Sequence, residues 1–142
     1  MRLSFDPTEL DIELIHAFLS GAYWAQGIPR DVVEQAIKGS FCVGAYAPDE
    51  DGMDEQIGFA RVVTDRATFA YLADVFVLPA HRGKGVAKAM VEGLQEHEAL
   101  LGLRRWMLVT LDMQPLYSKL GWNAPQHPER IMERHFPGVY AK

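Results

Sequence analysis

Residues Val75 to Ala87 read VFVLPAHRGKGVA, and this stretch constrains the fold more than any other. Leu72 and the run Val75, Phe76, Val77 and Leu78 predict a buried strand. Pro79 ends it. Arg82-Gly83-Lys84-Gly85-Val86-Ala87 follows, and an amphipathic helical pattern begins at once. A strand that feeds a glycine-rich turn opening a helix makes an anion cradle. Glycine lets the backbone turn with positive φ and approach a ligand closely. The unpaired N–H groups of the first helical turn then point at the anion. Arg82 and Lys84 add positive charge beside them. The plain alternative is a strand-to-helix turn with two surface cations.

Two familiar phosphate motifs are absent. No G-x-x-x-x-G-K-[ST] string exists, and Lys88 stands where a dinucleotide fingerprint needs its third glycine. The pattern that does fit is R-x-x-G-x-A, carried by Arg82, Gly85 and Ala87. A second motif lies downstream: Leu116 to Trp122 read LYSKLGW, with Tyr117, Gly121 and Trp122 at the spacing Y-x-x-x-G-[FW]. Together, in this order, the two motifs resemble the coenzyme A loop and the following helix of the GNAT acetyltransferase superfamily. The resemblance covers roughly the second half of the chain.

The resemblance implies a mixed α/β (α+β) fold over residues 1–142 as one acetyltransferase domain. Its central, mostly antiparallel sheet is splayed between strands 4 and 5 and flanked by helices. It implies acetyl-CoA as co-substrate and no metal. The amides and side chains of Arg82, Gly83, Lys84, Gly85, Val86 and Ala87 would hold the pyrophosphate. Val75, Phe76 and Val77 would pair with the pantetheine arm, and a backbone N–H near Val77 would polarise the thioester carbonyl. Tyr117 would contact the cofactor and act as general acid, since a phenol with an ordinary pKa near 10 is a donor at neutral pH. Otherwise it is a packed aromatic.

The string YLADVFV is similar to the matching strand of polyamine acetyltransferases, where acids face the amine. Here Ala73 stands where a second acid often lies. Asp74 is the least expected side chain, because a carboxylate inside an apolar strand is costly unless paired or functional. It anchors or deprotonates the amine, pairs with Arg61, Arg66 or Arg105, or sits at a bulge facing solvent. Tyr23, Trp24 and Tyr71 are candidates for an aromatic acceptor pocket, with core packing expected for at least one of them.

Length and composition set the remaining bounds. The chain has 142 residues, of which 49% are apolar, enough for one core. The formal net charge of −5 argues against a nucleic-acid partner. No apolar run reaches a membrane span, and the acidic N-terminus lacks a signal-peptide core. One cysteine, Cys42, excludes an internal disulfide, and these features point to the cytoplasm. The five histidines show no metal-ligand spacing. The resemblance implies acetyl transfer to a small primary amine by direct transfer in a ternary complex. The alternatives are acetylation of a protein amine, a non-catalytic acyl-CoA sensor, or an unrelated nucleotide-binding domain. The resemblance allows a homodimer.

The pattern also predicts elements. A short first strand holds Leu3 and Phe5, and a helix starts at Asp6-Pro7-Thr8 and carries the stripe Leu10, Leu14, Ile15, Phe18 and Ala22. A second helix starts at Pro29 and ends at Gly39. Strands Phe41–Ala47 and Ile57–Thr64 form a hairpin. A long strand spans Thr68–Leu78. The next helix carries Val86, Met90, Leu94, His97 and Leu101, capped by Gly102. A strand over Trp106–Leu111, a helix over Pro115–Leu120 and a tail strand over Arg130–His135 complete the list.

Overall fold

The computed structural model describes residues 1–141. Five strands form one open sheet in the order β1 (Arg2–Ser4), β2 (Phe41–Pro48), β3 (Asp54–Thr64), β4 (Phe69–Val77) and β5 (Arg105–Leu108). The first four pair antiparallel, and β5 joins β4 in parallel. The helices are α1 (Ile12–Ser20), α2 (Arg30–Lys38), α3 (Val86–Glu96) and α4 (Gln114–Ser118). The expected mixed α/β architecture is the one observed.

Each sheet face buries its own apolar cluster. Val86, Met90, Val91 and Leu94 of α3 pack on Val43, Ala60, Val62 and Leu72. On the other face, Ile15 and Leu19 of α1 and Val33 and Ile37 of α2 pack on Phe59 and Phe76. Helices as short as α1 and α2 are marginal in isolation. Their buried side chains supply the difference, at roughly 1.5–3 kcal/mol for each large one.

β4 contains the irregularity that matters most for function. Val62 faces Leu72, while the next residue back, Arg61, faces Asp74. Ala73 is therefore an extra residue, a β-bulge, which bends and twists its strand. Before the bulge, Ala70 and Leu72 lie under α3. After it, Val75 and Val77 take that face, and Phe76 turns to α1 and α2. Asp74 shares the Phe76 side. The β4–β5 pairing runs only from Phe69–Arg105 to Leu72–Leu108. Beyond Leu72 the two strands part, which is the splay expected between strands 4 and 5.

Several expected boundaries are corrected. The helix expected from Asp6 is two pieces: Asp6 caps a 3-10 turn over Pro7–Glu9, and Asp11 starts α1 by accepting from the Leu14 N–H at 3.1 Å. α3 ends at Glu96, so His97 and Leu101 lie outside it, and Gly102 is not its cap. The His97 ring sits 4.6 Å from Phe5 and 4.8 Å from Phe41, and its Nδ1 accepts from the Ala99 N–H. Those contacts hold His97 in an extended conformation that stops the helix. β5 ends at Leu108 rather than Leu111, because β4 has already bent away. Arg130–His135 forms no strand. Ile131 and Met132 are adjacent, so they would point apolar groups to opposite faces of a strand and give it no face to bury.

Candidate active site

The turn between β4 and α3 has the geometry of an anion cradle. Gly83 and Gly85 have φ of 76° and 79°, a left-handed conformation that side chains resist. No atom lies within 4 Å of the position a Cβ would take at either glycine. Among the described residues, no acceptor meets the N–H groups of residues 83–88; the first paired one is Ala89, bonded to the Gly85 carbonyl at 3.0 Å. Arg82, Lys84 and Lys88 are exposed around this run of donors. Arg82 Nε donates to the Val77 carbonyl at 3.0 Å and folds the turn against the end of β4. A diphosphate fits this set of free donors, open space and cations.

The strand leading to the turn presents an unpaired edge. The Leu78 N–H donates to the Ile57 carbonyl at 2.8 Å, toward β3. Strand groups alternate, so those of Phe76 and Asp74 also face β3, while those of Val75 and the N–H of Val77 face the gap left by β5. That gap opens into a cleft of about 630 Å³. All the side chains expected to handle chemistry or acceptor line it: Tyr23, Trp24, Tyr71, Asp74 and Tyr117.

Tyr117 is 8% exposed, beneath the cleft, and its ring meets Trp122 edge-on at 5.8 Å between centroids. Gln95 holds Trp122 in place: its Oε1 accepts from the indole N–H at 2.7 Å and its Nε2 donates to the Leu120 carbonyl at 3.1 Å. The Trp122 N–H donates to the Tyr117 carbonyl at 3.1 Å. Burial, and then the nearby Tyr23 phenol, push the Tyr117 pKa above the ordinary phenol value. Its hydroxyl is therefore a proton donor throughout the neutral range.

Asp74 is 6% exposed and paired. Its Oδ2 accepts from Arg61 Nε at 2.7 Å, and its Oδ1 accepts from the Trp24 indole N–H at 2.7 Å. Of the three arginines weighed from sequence, Arg61 is the partner; Arg66 lies over the Phe41 ring instead. Asp74 follows the bulge but does not face bulk solvent. Tyr71 stands beside this pair, its pKa raised by burial and then by Asp74. Tyr23 is 67% and Trp24 40% exposed, so neither took the core position expected for one of the aromatics. Cys42 is core, its thiol pushed up to about 12 by burial.

Sequence reasoning missed Asp112, Glu133 and His135, which also line the cleft. They lie in loop and tail segments without periodicity, where no sequence signal existed. Among the described residues no group of His, Cys, Asp or Glu could hold a metal, and no helix is long and apolar enough to cross a membrane.

The model of the acetyltransferase (GNAT) domain family matches residues 38–124. A Gibberella zeae protein named as a candidate acetyltransferase is 37% identical over 135 residues, covering 82% of this chain and 75% of the relative. A crystal structure from Xanthomonas campestris pv. campestris, described as a candidate GNAT acetyltransferase, has 46% identity and a TM-score of 0.92. The match covers 99% of this chain and 96% of that one. A Mycobacterium tuberculosis protein in complex with CoA and NLQ shares the fold at 20% identity and a TM-score of 0.62, over 85% of this chain and 70% of that one.

Proposed function

Because the chain belongs to the GNAT acetyltransferase family, we propose that it moves an acetyl group from acetyl-CoA directly to a primary amine of a small molecule, with both substrates bound together. The observation that carries this reading is the parting of β4 from β5 beyond Leu72, which leaves a bare strand edge between a diphosphate cradle and Tyr117.

In this reading the pyrophosphate lies on residues 83–88, and the pantetheine arm pairs with the free edge at Val75 and Val77. The amine nitrogen attacks the thioester carbon and the C–S bond breaks. The Val77 N–H stabilises the oxygen as it gains charge. Tyr117 gives its proton to the departing thiolate, the proton lost by the amine goes to water, through Asp74 or directly, and the Tyr117 phenolate takes a proton back from water to close the cycle. Tyr23, Trp24, Tyr71 and Asp74 bound the acceptor. A cleft of about 630 Å³ supports a small acceptor over a folded protein surface. Residues 1–142 act as one acetyltransferase domain, in the cytoplasm. Val109, Leu111, Met132 and Phe136 are exposed apolar groups that a homodimer would have to cover.

The test is free-thiol release from acetyl-CoA across a panel of amines, with the acetylated product identified by mass. Turnover of at least one small primary amine is expected. Acetyl-CoA binding without thiol release from any amine would leave a sensor and contradict the enzyme.

A further inference from the structure

We infer that the acceptor is a zwitterion, a primary amine that also carries a carboxylate or phosphonate, read by the Asp74–Arg61 pair on the cleft wall. The inference rests on the acetyl-transfer reading and deepens it. A carboxylate and a guanidinium ordinarily meet through two parallel hydrogen bonds. Here the pairing is incomplete. The Trp24 indole occupies Asp74 Oδ1 at 2.7 Å, so only Arg61 Nε reaches the carboxylate, at Oδ2. Arg61 Nη1 donates to Ser40 Oγ at 3.0 Å. The Ser40 hydroxyl donates onward to the Ala36 carbonyl at 2.6 Å, so its oxygen is an acceptor there.

Nη2 has no acceptor among the described residues. No buried side-chain nitrogen in them is left unpartnered, so Nη2 meets solvent. Arg61 is 18% exposed at its side chain and lines the cleft. A guanidinium held by two bonds on the wall of a cleft, with one donor group left to solvent, can take an oxyanion. Beside it, each Asp74 oxygen keeps a second lone pair after its one bond. The pair thus offers a cleft ligand both signs of charge side by side. An ammonium against Asp74 lies one residue from the Val75 edge where the thioester is expected. The ligand's oxyanion then falls against Arg61 Nη2.

The alternatives fit less well. A diamine would bring its second cation against the guanidinium. An uncharged alkylamine would leave Nη2 to water. Asp112 and Glu133 also line the cleft, but both are exposed, where solvent and salt weaken their pull on a cation.

The experiment measures thiol release at saturating acetyl-CoA with ω-amino acids of increasing length, the matching aminoalkylphosphonates, diamines and n-alkylamines. Arg61→Lys is run alongside, since it keeps a cation for Asp74 and removes the fork. The parent should favour one of the two zwitterion series over chain-matched alkylamines by about tenfold or more in kcat/KM. Whichever series leads names the oxyanion. Arg61→Lys should raise KM for the zwitterion about tenfold, leave KM for the alkylamine within about threefold, and keep the thermal shift given by acetyl-CoA. Diamines or alkylamines equal to or better than zwitterions in the parent overturn the inference and leave the acetyltransferase reading standing. Equal loss on all acceptors in a folded Arg61→Lys also overturns it. Thiol release from no amine overturns both.

Discussion

Tyr117 is 8% exposed, and its ring lies against Trp122 at 5.8 Å between centroids. The Tyr117 motif carries its environment in the sequence, because Gly121 and Trp122 follow at fixed spacing and Trp122 packs on the ring. The expected outcome for Tyr117→Phe is a kcat lowered by roughly 10² with acetyl-CoA affinity nearly unchanged. A loss below about threefold in a chemistry-limited assay would assign the ring to packing. The pH profile follows from the direction of its shift. In the parent, kcat/KM should rise with pH as the amine loses its proton. Burial raises the Tyr117 pKa, so the acid stays protonated past the ordinary phenol value and the falling limb belongs above about pH 10. A falling limb near neutrality would contradict Tyr117 as the acid. Asp74 stood out as a carboxylate in an apolar strand, and Arg61, one of three candidate partners, is the one it pairs with. Its partners Arg61 and Trp24 lie 13 and 50 residues away in sequence, and no local pattern encodes such pairs.

At the scale of elements, the glycine-rich turn and the order of strands and helices could be read directly, because both rest on local propensity and periodicity. The bulge at Ala73 could not. Strict alternation would put Asp74 on the face of Ala70 and Leu72, under α3, where a carboxylate has no partner. The extra residue turns it to the cleft instead. The ends of α3 and β5 were misjudged for a related reason: tertiary contacts of His97 and the bending of β4 set them, not propensity. Deleting Ala73 isolates the role of the bulge. Val62–Leu72 and Arg61–Asp74 then become consecutive pairs, and every side chain keeps its face. The deletion should therefore stay folded, while β4 no longer bends from β5 and acetyl-CoA binding falls about tenfold or more, measured by titration. Unchanged binding in a folded deletion variant would show that the bulge does not open the gap.

Across the whole molecule, two apolar clusters clamp the sheet from both faces and leave its split end as the place where ligands can enter. Two short motifs carry the family in the second half of the chain, yet the ends of α3 and β5 in that same half depend on tertiary contacts and were not legible there. The tail was read poorly. It takes its course from the cleft it borders, lined by Glu133 and His135, rather than from a strand pattern of its own. The net charge of −5 masks a local arrangement of opposite sign, with Arg82, Lys84 and Lys88 around the free amides of residues 83–88. A negative sum therefore leaves room for a diphosphate on this turn, because local charge rather than the total meets the ligand.

If the pyrophosphate of acetyl-CoA rests on that turn, calorimetric titration of acetyl-CoA into the parent and Gly85→Glu will register it. Glutamate at φ 79° costs on the order of 1–2 kcal/mol of stability and places a carboxylate where the diphosphate would lie. Thermal melting first establishes that the variant is folded at the titration temperature. Saturable binding to the parent is expected, with an affinity at least about a hundredfold weaker in the folded variant. Equal binding by the two proteins, or no binding to the parent at millimolar acetyl-CoA, would contradict that placement of the pyrophosphate.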